Sequence, residues 1–377
     1  MLGNDQKRKS LIGDIIIVDI DIKKKNNKVI KGGEMSKRVG ILTGGGDCCG
    51  LNSAIRGAVY RAYDLHYEVF GIRDGWRGLI DGDLFNIGLE DAEELVDKAG
   101  TILGTSRTNP FKVENGVAMV IKTIKNYGLD AILAMGGEDT LGVANRLFKE
   151  YKIKVVGAPK TMDNDLSATD FTFGFDSSVT RAVEAMKSLE DTGKSHHRVM
   201  ILEVMGRHAG WVALYTGLST GADWILLPEE TTDIEEMCKQ LQRVYSRKKY
   251  ALIVVSEGVE LPGADTDKEE LDQFGHMILR KRGIGQILGD IICEKTGIET
   301  RHAVIGHMQR GGIPTVFDRI LGLRTGVKAM ELIEKQDFGK MAALKGNKII
   351  AVPLEEATKD IKKVSKEWLA FAKIFFK

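Results

Sequence analysis

The chain has 377 residues, of which 43% are hydrophobic and 28% charged, which is material for two to three domains at about 150 residues each and excludes a disordered chain or a stapled miniprotein. Lysine plus arginine number 54 against 53 aspartate plus glutamate, so no basic excess exists to release counterions from a phosphate backbone, and nucleic acid is not an expected partner. Apolar runs such as 15–18 and 251–255 fall far short of the ~20 residues that span a bilayer, no leader pattern opens the chain, and the four cysteines have no C-x-x-C spacing, so a cytoplasmic protein without a membrane partner is expected.

In chain order, residues 1–36 carry eight basic and five acidic side chains and read as an N-terminal extension ahead of the folded body. Strands are then expected at 39–42, 68–72, 131–134, 154–156, 198–203, 225–227, 251–255 and 301–305. Helices are expected at 51–64, 116–127, 141–149, 177–192, 210–220, 234–246 and 317–334. This alternation means βαβ crossovers, hence an α/β, doubly wound fold in two lobes with largely parallel sheets and ligands at the carboxyl ends of the strands. At the end of the chain, Ile361, Val364, Trp368, Phe371 and Phe375 are spaced 3, 4, 3 and 4 apart, the pattern of a C-terminal amphipathic helix over 361–377.

Glycine is over-used, at 43 residues of 377, and it clusters after strands. Thr43-Gly44-Gly45-Gly46-Asp47 and Gly136-Gly137-Glu138-Asp139 each lead from a strand to a helix, where backbone N–H groups and a helix N-terminus can hold an anion. Neither a G-x-G-x-x-G nor a Walker A pattern is present. Carboxylates beside a phosphate repel it unless a divalent cation intervenes, so Glu138 or Asp139 implies Mg2+ held partly by water and phosphate oxygen. A third strand end carries Lys160-Thr161-Met162-Asp163-Asn164-Asp165, in which Asp163 is the candidate base for phosphoryl transfer to a sugar hydroxyl. Arg198, Met205-Gly206-Arg207 and the stretch Arg301 to Arg310 with His307 bring the arginine and histidine that capture of a sugar phosphate needs. A zinc site from His196, His197, His208 and His307 lacks the usual H-E-x-x-H or cysteine partners.

Taken in order, Thr43 to Asp47 with Leu51-Asn52, Gly136 to Thr140, Pro159 to Asp165, Glu203 to Arg207 and Gly306 to Gly312 resemble the phosphofructokinase family, over residues 38 to about 360. The resemblance implies two lobes with the active site in the cleft between them: 37–173 plus about 309–360 for the phosphoryl donor, and 174–308 for the sugar phosphate. It also implies Mg2+ and transfer of a phosphoryl group to O1 of fructose 6-phosphate. By position, Gly45 and Arg107 resemble donor-binding residues and Glu138 the metal-side acid. Thr161 and Asp163 would meet the reactive end of the sugar. Met205, Gly206, Arg207, Glu229, His307 and Arg310 resemble the sugar-phosphate pocket. Arg198 and Arg301 match arginines offered across a subunit boundary, which implies a homodimer or homotetramer with shared active sites.

Two positions bear on the donor. Members of the family that use ATP usually have glycine after the metal-side acid and often glycine before the Thr-x-Asp-Asn-Asp core, whereas this chain has Asp139 and Lys160. Both point to pyrophosphate, with ATP, or the same chemistry on sedoheptulose 7-phosphate, as the alternatives. A carboxylate about 4 Å from a nucleotide phosphate costs about 4 kcal/mol at an effective dielectric near 20, while Lys160 can stabilise the departing phosphate. With pyrophosphate the reaction is expected to be reversible, in glycolysis or gluconeogenesis. Two departures from the family pattern stand out. Cys48-Cys49 replaces a small residue plus proline, and Glu138 replaces the commoner aspartate.

Overall fold

Strand β1 (Arg38–Thr43) shows how the sequence builds the sheet: Val39 and Ile41 enter one apolar cluster and Leu42 a second on the opposite face, the period of two that a strand imposes. The structure, a computed structural model, describes residues 36–262, 274 and 283–376. The extension expected over 1–36 lies, Ser36 apart, outside the described residues. The strands after β1 are β2 (Glu68–Ile72), β3 (Leu84–Asn86), β4 (Ala131–Gly136), β5 (Val155–Pro159), β6 (Val199–Val204), β7 (Trp224–Leu226), β8 (Ala251–Ser256), β9 (Thr300–Val304), β10 (Lys340–Lys345) and β11 (Lys348–Pro353).

Seven strands form one sheet in the order β11-β10-β5-β4-β1-β2-β3, parallel from β10 to β2 with an antiparallel strand at each edge. Four form a second, wholly parallel sheet in the order β7-β8-β6-β9. The expected α/β class with largely parallel sheets is therefore present, although the sheets differ in size. Strands β4, β6 and β8 are buried along their whole length because helices cover both faces of a parallel sheet. Around β8, Leu252 and Val254 face one cluster while Ala251, Ile253 and Val255 face another.

The chain passes between the sheets twice, before helix Phe175–His196 and before helix Val316–Glu334. One carboxylate joins the two passages. Asp318, wholly buried, accepts the N–H groups of Gly174 and Ser177 at 2.9 and 2.8 Å and the Ser177 hydroxyl at 2.6 Å. It thereby satisfies donors that the first turn of Phe175–His196 would otherwise leave orphaned.

The eight expected strands and seven expected helices occur, with ends shifted by a few residues; Leu51–Asp64 and Gly116–Tyr127 have the expected bounds. Strands β3, β10 and β11, at the two margins of the larger sheet, were not expected. Strands β10 and β11 form a hairpin whose turn is Gly346-Asn347, with Lys345 opposite Lys348 and Gly346 at φ +54°. That dipeptide between apolar runs was the available signal. The helix Ile284–Thr296 was also missed. At the end of the chain the expected helix over 361–377 is confined to Lys366–Lys373. Ile361 instead pairs with Leu166 in an antiparallel bridge, so 361–364 is drawn out across the body, and Phe371 and Phe375 are exposed rather than on a buried stripe.

Candidate active site

Register places three strand ends abreast. Thr43 of β1 faces Met135 of β4, and Gly136 faces Pro159 of β5, so Gly44, Gly137 and Lys160 leave the first sheet at one level. Strands β1 and β4 are also where the strand order reverses, the crevice in which open α/β sheets take ligands. The turns are locked by backbone bonds from Gly44 N to Met135 O, Gly45 N to Ser106 O and Lys160 N to Gly136 O, at 3.0, 3.0 and 3.1 Å. Gly45 has φ +80°, a conformation that L side chains resist. At Gly136 a Cβ would lie 2.2 Å from that of Thr140, so only glycine admits the threonine that packs between the two turns. Glu138 and Asp139 follow in the first turn of helix Glu138–Tyr151, both half-buried, and Arg107 adjoins Ser106 at the surface.

Lys160 is 4% exposed and donates to the Gly46 carbonyl at 2.6 Å. Burial holds its pKa below the usual lysine range; Cys48 opposes the shift and Arg310 adds to it. The loop that follows is tied to itself, Asp163 N to Thr161 Oγ1 at 3.1 Å and Thr172 Oγ1 to Thr161 O at 2.6 Å. Asp163 and Asp165 each bury one carboxylate oxygen, Oδ1, without a hydrogen-bond partner among the described residues. Burial, reinforced by Asp165, raises the Asp163 pKa from 3.8 to about 7, with Arg310 and Arg207 pulling it down and Glu257 pushing it up. A desolvated carboxylate with one oxygen unpartnered among the described residues, set among two arginines and two acids, has the environment that lets a carboxyl take a proton near neutral pH.

The second sheet delivers its own strand ends abreast, β6 opposite β8 at Val204–Ser256 and β6 opposite β9 at Glu203–Val304. Met205, Gly206 and Arg207 follow β6, Glu257 follows β8, and His307 and Arg310 lie on the single 3-10 turn Gly306–Arg310 after β9. Met205 N donates to Gln309 Oε1 at 2.8 Å, and Gln309 Nε2 reaches Ser178 Oγ at 3.0 Å. Arg310 donates to the Asp47 carbonyl at 2.9 Å, so a residue of the sugar-side sequence touches the glycine turn of the first sheet. The Cys49 thiol points at the carbonyls of Arg310, Gly311 and Gly312, 3.5–3.7 Å away.

Two expected site residues stand apart. Arg198 precedes β6 and Arg301 is the second residue of β9; both pair with Glu299, at 2.9 and 2.6 Å. Since strands rise about 3.3 Å per residue, these arginines lie at the far end of the sheet from Met205 and His307 of their own chain. Glu229 accepts Gly210 N and Val364 N on Oε1, at 2.8 and 2.9 Å, and its Oε2 is buried without a partner among the described residues. Sequence reading gave no role to Glu257, Gln309 or Lys362, although Glu257 stands at a strand end before Gly258 and Gln309 lies within the Gly306 to Gly312 motif; only Lys362 has no local mark.

Among the described residues no three His, Cys, Asp or Glu side chains gather as a metal cage. Magnesium rarely needs one, because one or two carboxylates plus waters and phosphate oxygens complete its octahedron. The acids at the strand ends, with the orphaned oxygens of Asp163 and Asp165, fit that kind of site.

Glycine turns leading to helix N-termini and a buried carboxylate thus gather at the carboxyl ends of largely parallel strands, where α/β enzymes take their ligands. The phosphofructokinase family model matches residues 38–333, and the chain belongs to that family. It is 49% identical over 342 residues to a pyrophosphate–fructose 6-phosphate 1-phosphotransferase from Amycolatopsis methanolica, covering 90% of this chain and 99% of that one. An ATP-dependent 6-phosphofructokinase 2 from Streptomyces coelicolor is 43% identical over 343 residues, covering 90% of this chain and all of the other. Among solved structures, Pichia pastoris phosphofructokinase in the T-state matches with a TM-score of 0.76 at 28% identity, over 92% of this chain. This chain spans 37% of the length of the Pichia protein. No helix among the described residues is long and apolar enough to cross a membrane.

Proposed function

We propose that this chain transfers a phosphoryl group reversibly from pyrophosphate to O1 of fructose 6-phosphate, giving fructose 1,6-bisphosphate and phosphate, in the cytoplasm. The observation that carries this reading is the Asp163 carboxyl, three residues after Lys160, with one oxygen unpartnered among the described residues and its pKa raised against the charges of Arg310 and Arg207. In this reading Thr161 and Asp163 meet the sugar hydroxyl, and Asp163 accepts its proton. The backbone of Gly45, with Arg107 and Lys160, holds the donor. Met205, Gly206, Arg207, Glu229, His307 and Arg310 hold the sugar phosphate. Magnesium, held on the protein by Glu138, supplies charge neutralisation on the donor phosphates when bound.

Pyrophosphate is favoured over ATP by Asp139 and Lys160. The first places negative charge where a longer donor must extend, and the second offers a cation to the phosphate that leaves. Among the described residues Lys160 spends one of its three donors on Gly46, leaving two for a ligand. Arg198 and Arg301, remote from their own site, serve a neighbouring copy, so the working form is a homodimer or homotetramer. The deciding assay supplies purified protein with fructose 6-phosphate, Mg2+ and either pyrophosphate or ATP. Turnover with pyrophosphate alone is expected, and turnover with ATP alone overturns the donor reading.

A further inference from the structure

The stretch 361–364 touches both halves of the site, and it lies beyond residue 333, where the match to the family ends. Ile361 pairs with Leu166, and Lys362 N donates to the Asp165 carbonyl at 2.7 Å. The Lys362 carbonyl accepts the Trp211 indole N–H at 2.7 Å, and Val364 N donates to Glu229 at 2.9 Å. One strap thus holds the loop after β5 on one side and the sugar-side elements on the other.

The Lys362 ammonium carries three donors, and three oxygens receive them: Asn164 Oδ1 at 2.9 Å, Thr169 O at 3.0 Å and Asp170 O at 3.0 Å. All three belong to the loop that presents Asp163 and Asp165. Asn164 sits between those acids with φ +52°, a left-handed turn conformation that asparagine tolerates, and its Oδ1 also accepts Thr172 N at 3.1 Å. Burial pulls the Lys362 pKa down to about 8 against the opposing charges of Asp165 and Asp170, with Lys345 adding to the fall. Lys362 is charged at neutral pH and saturated, and so is built to hold the loop rather than to bind a ligand.

We propose that Lys362 is a positioning residue for phosphoryl transfer: its ammonium clamps Asn164 and the loop carbonyls, and so fixes the direction of the flanking Asp163 and Asp165 carboxylates. This rests on the function proposed above. Because a misplacement of about 1 Å can cost about a hundredfold in rate, Lys362→Met is expected to lower kcat about 10- to 100-fold, with KM for both substrates changed less than about threefold. Calorimetric binding of fructose 6-phosphate should keep the wild-type stoichiometry. Lys362→Arg should recover part of the rate, and Lys363→Met, an exposed neighbour, should match the wild type. An undiminished kcat in Lys362→Met overturns the proposal, and so does a fall matched by an equal loss of binding stoichiometry. Should Lys362→Met not fold, Trp211→Phe, which removes the N–H holding the strap, decides by the same two measures. All variants are assayed with whichever donor the wild type turns over, so a wild type that uses only ATP overturns the donor reading and leaves the Lys362 comparison intact.

Discussion

Lys160 Nζ lies 2.6 Å from the carbonyl oxygen of Gly46, joining the end of β5 to the turn that follows β1. The contact puts a buried cation against the glycine backbone, where a donor phosphate would rest. Replacing Lys160 with Gly should lower kcat with pyrophosphate by about a thousandfold, the low end of what a phosphoryl-transfer cation supplies, while calorimetric affinity for fructose 6-phosphate stays within a few-fold. Equal turnover in the variant would remove the role given to the ammonium.

Asp139 should set donor choice through charge. Asp139→Gly removes a repulsion of about 4 kcal/mol, or about three decades in a rate ratio. The kcat/KM for ATP should rise by up to that factor, and unchanged rejection of ATP would sink the charge argument.

The pH dependence follows from Asp163, whose carboxyl must be ionised to accept a proton. Its pKa is raised to about 7 by burial and then by Asp165. The kcat/KM for fructose 6-phosphate should therefore fall tenfold per unit below about pH 7. Asp165→Asn removes the second cause and should move the acid limb downward. Asp163→Ser should abolish transfer while sugar binding persists; surviving transfer would place the base elsewhere.

Asp318 bears on stability instead. Burial raises its pKa from 3.8 to about 6, in spite of its bonds to Ser177 and Gly174. The folded state thus holds the proton more tightly, so this contribution is complete below about pH 4 and is lost as pH rises through about 6. Asp318→Ala leaves the buried N–H groups of Gly174 and Ser177 without an acceptor, the Ser177 hydroxyl keeping Thr315 Oγ1 at 3.4 Å, and should cost about 3–5 kcal/mol, measured by denaturant unfolding at constant m-value. A cost under about 1 kcal/mol would mean that water replaces the carboxylate.

A shared site makes complementation measurable. Arg301→Gln and Asp163→Ser should each be inactive alone, yet random mixing into dimers leaves one intact site in half of them. Activity of about a quarter of wild type is the expected return. No recovery after dissociation and reassembly would place Arg301 outside the partner's site.

Much of this protein was legible in the sequence because its interior is parallel sheet. Runs such as Ile132-Leu133-Ala134 and Ala251 to Val255, buried on both faces, are continuous and apolar, and the glycines at the ends of β1 and β4 mark turns where Gly45, at φ +80°, and Gly136, against Thr140, resist a larger residue. Local chemistry at a strand end therefore pointed to the Gly44–Gly46 turn and to Asp163, while the resemblance to the family singled out Gly45 and Lys160. What the linear chain could not show is which remote segments meet. Asp318 reaches the start of a helix 141 residues earlier, Arg310 reaches Asp47, and Lys362 closes on Asn164 across 198 residues. Such contacts have no period or spacing to read. They exist because the chain crosses twice between its sheets and then returns its end over the loop, and packing alone decides where those side chains arrive.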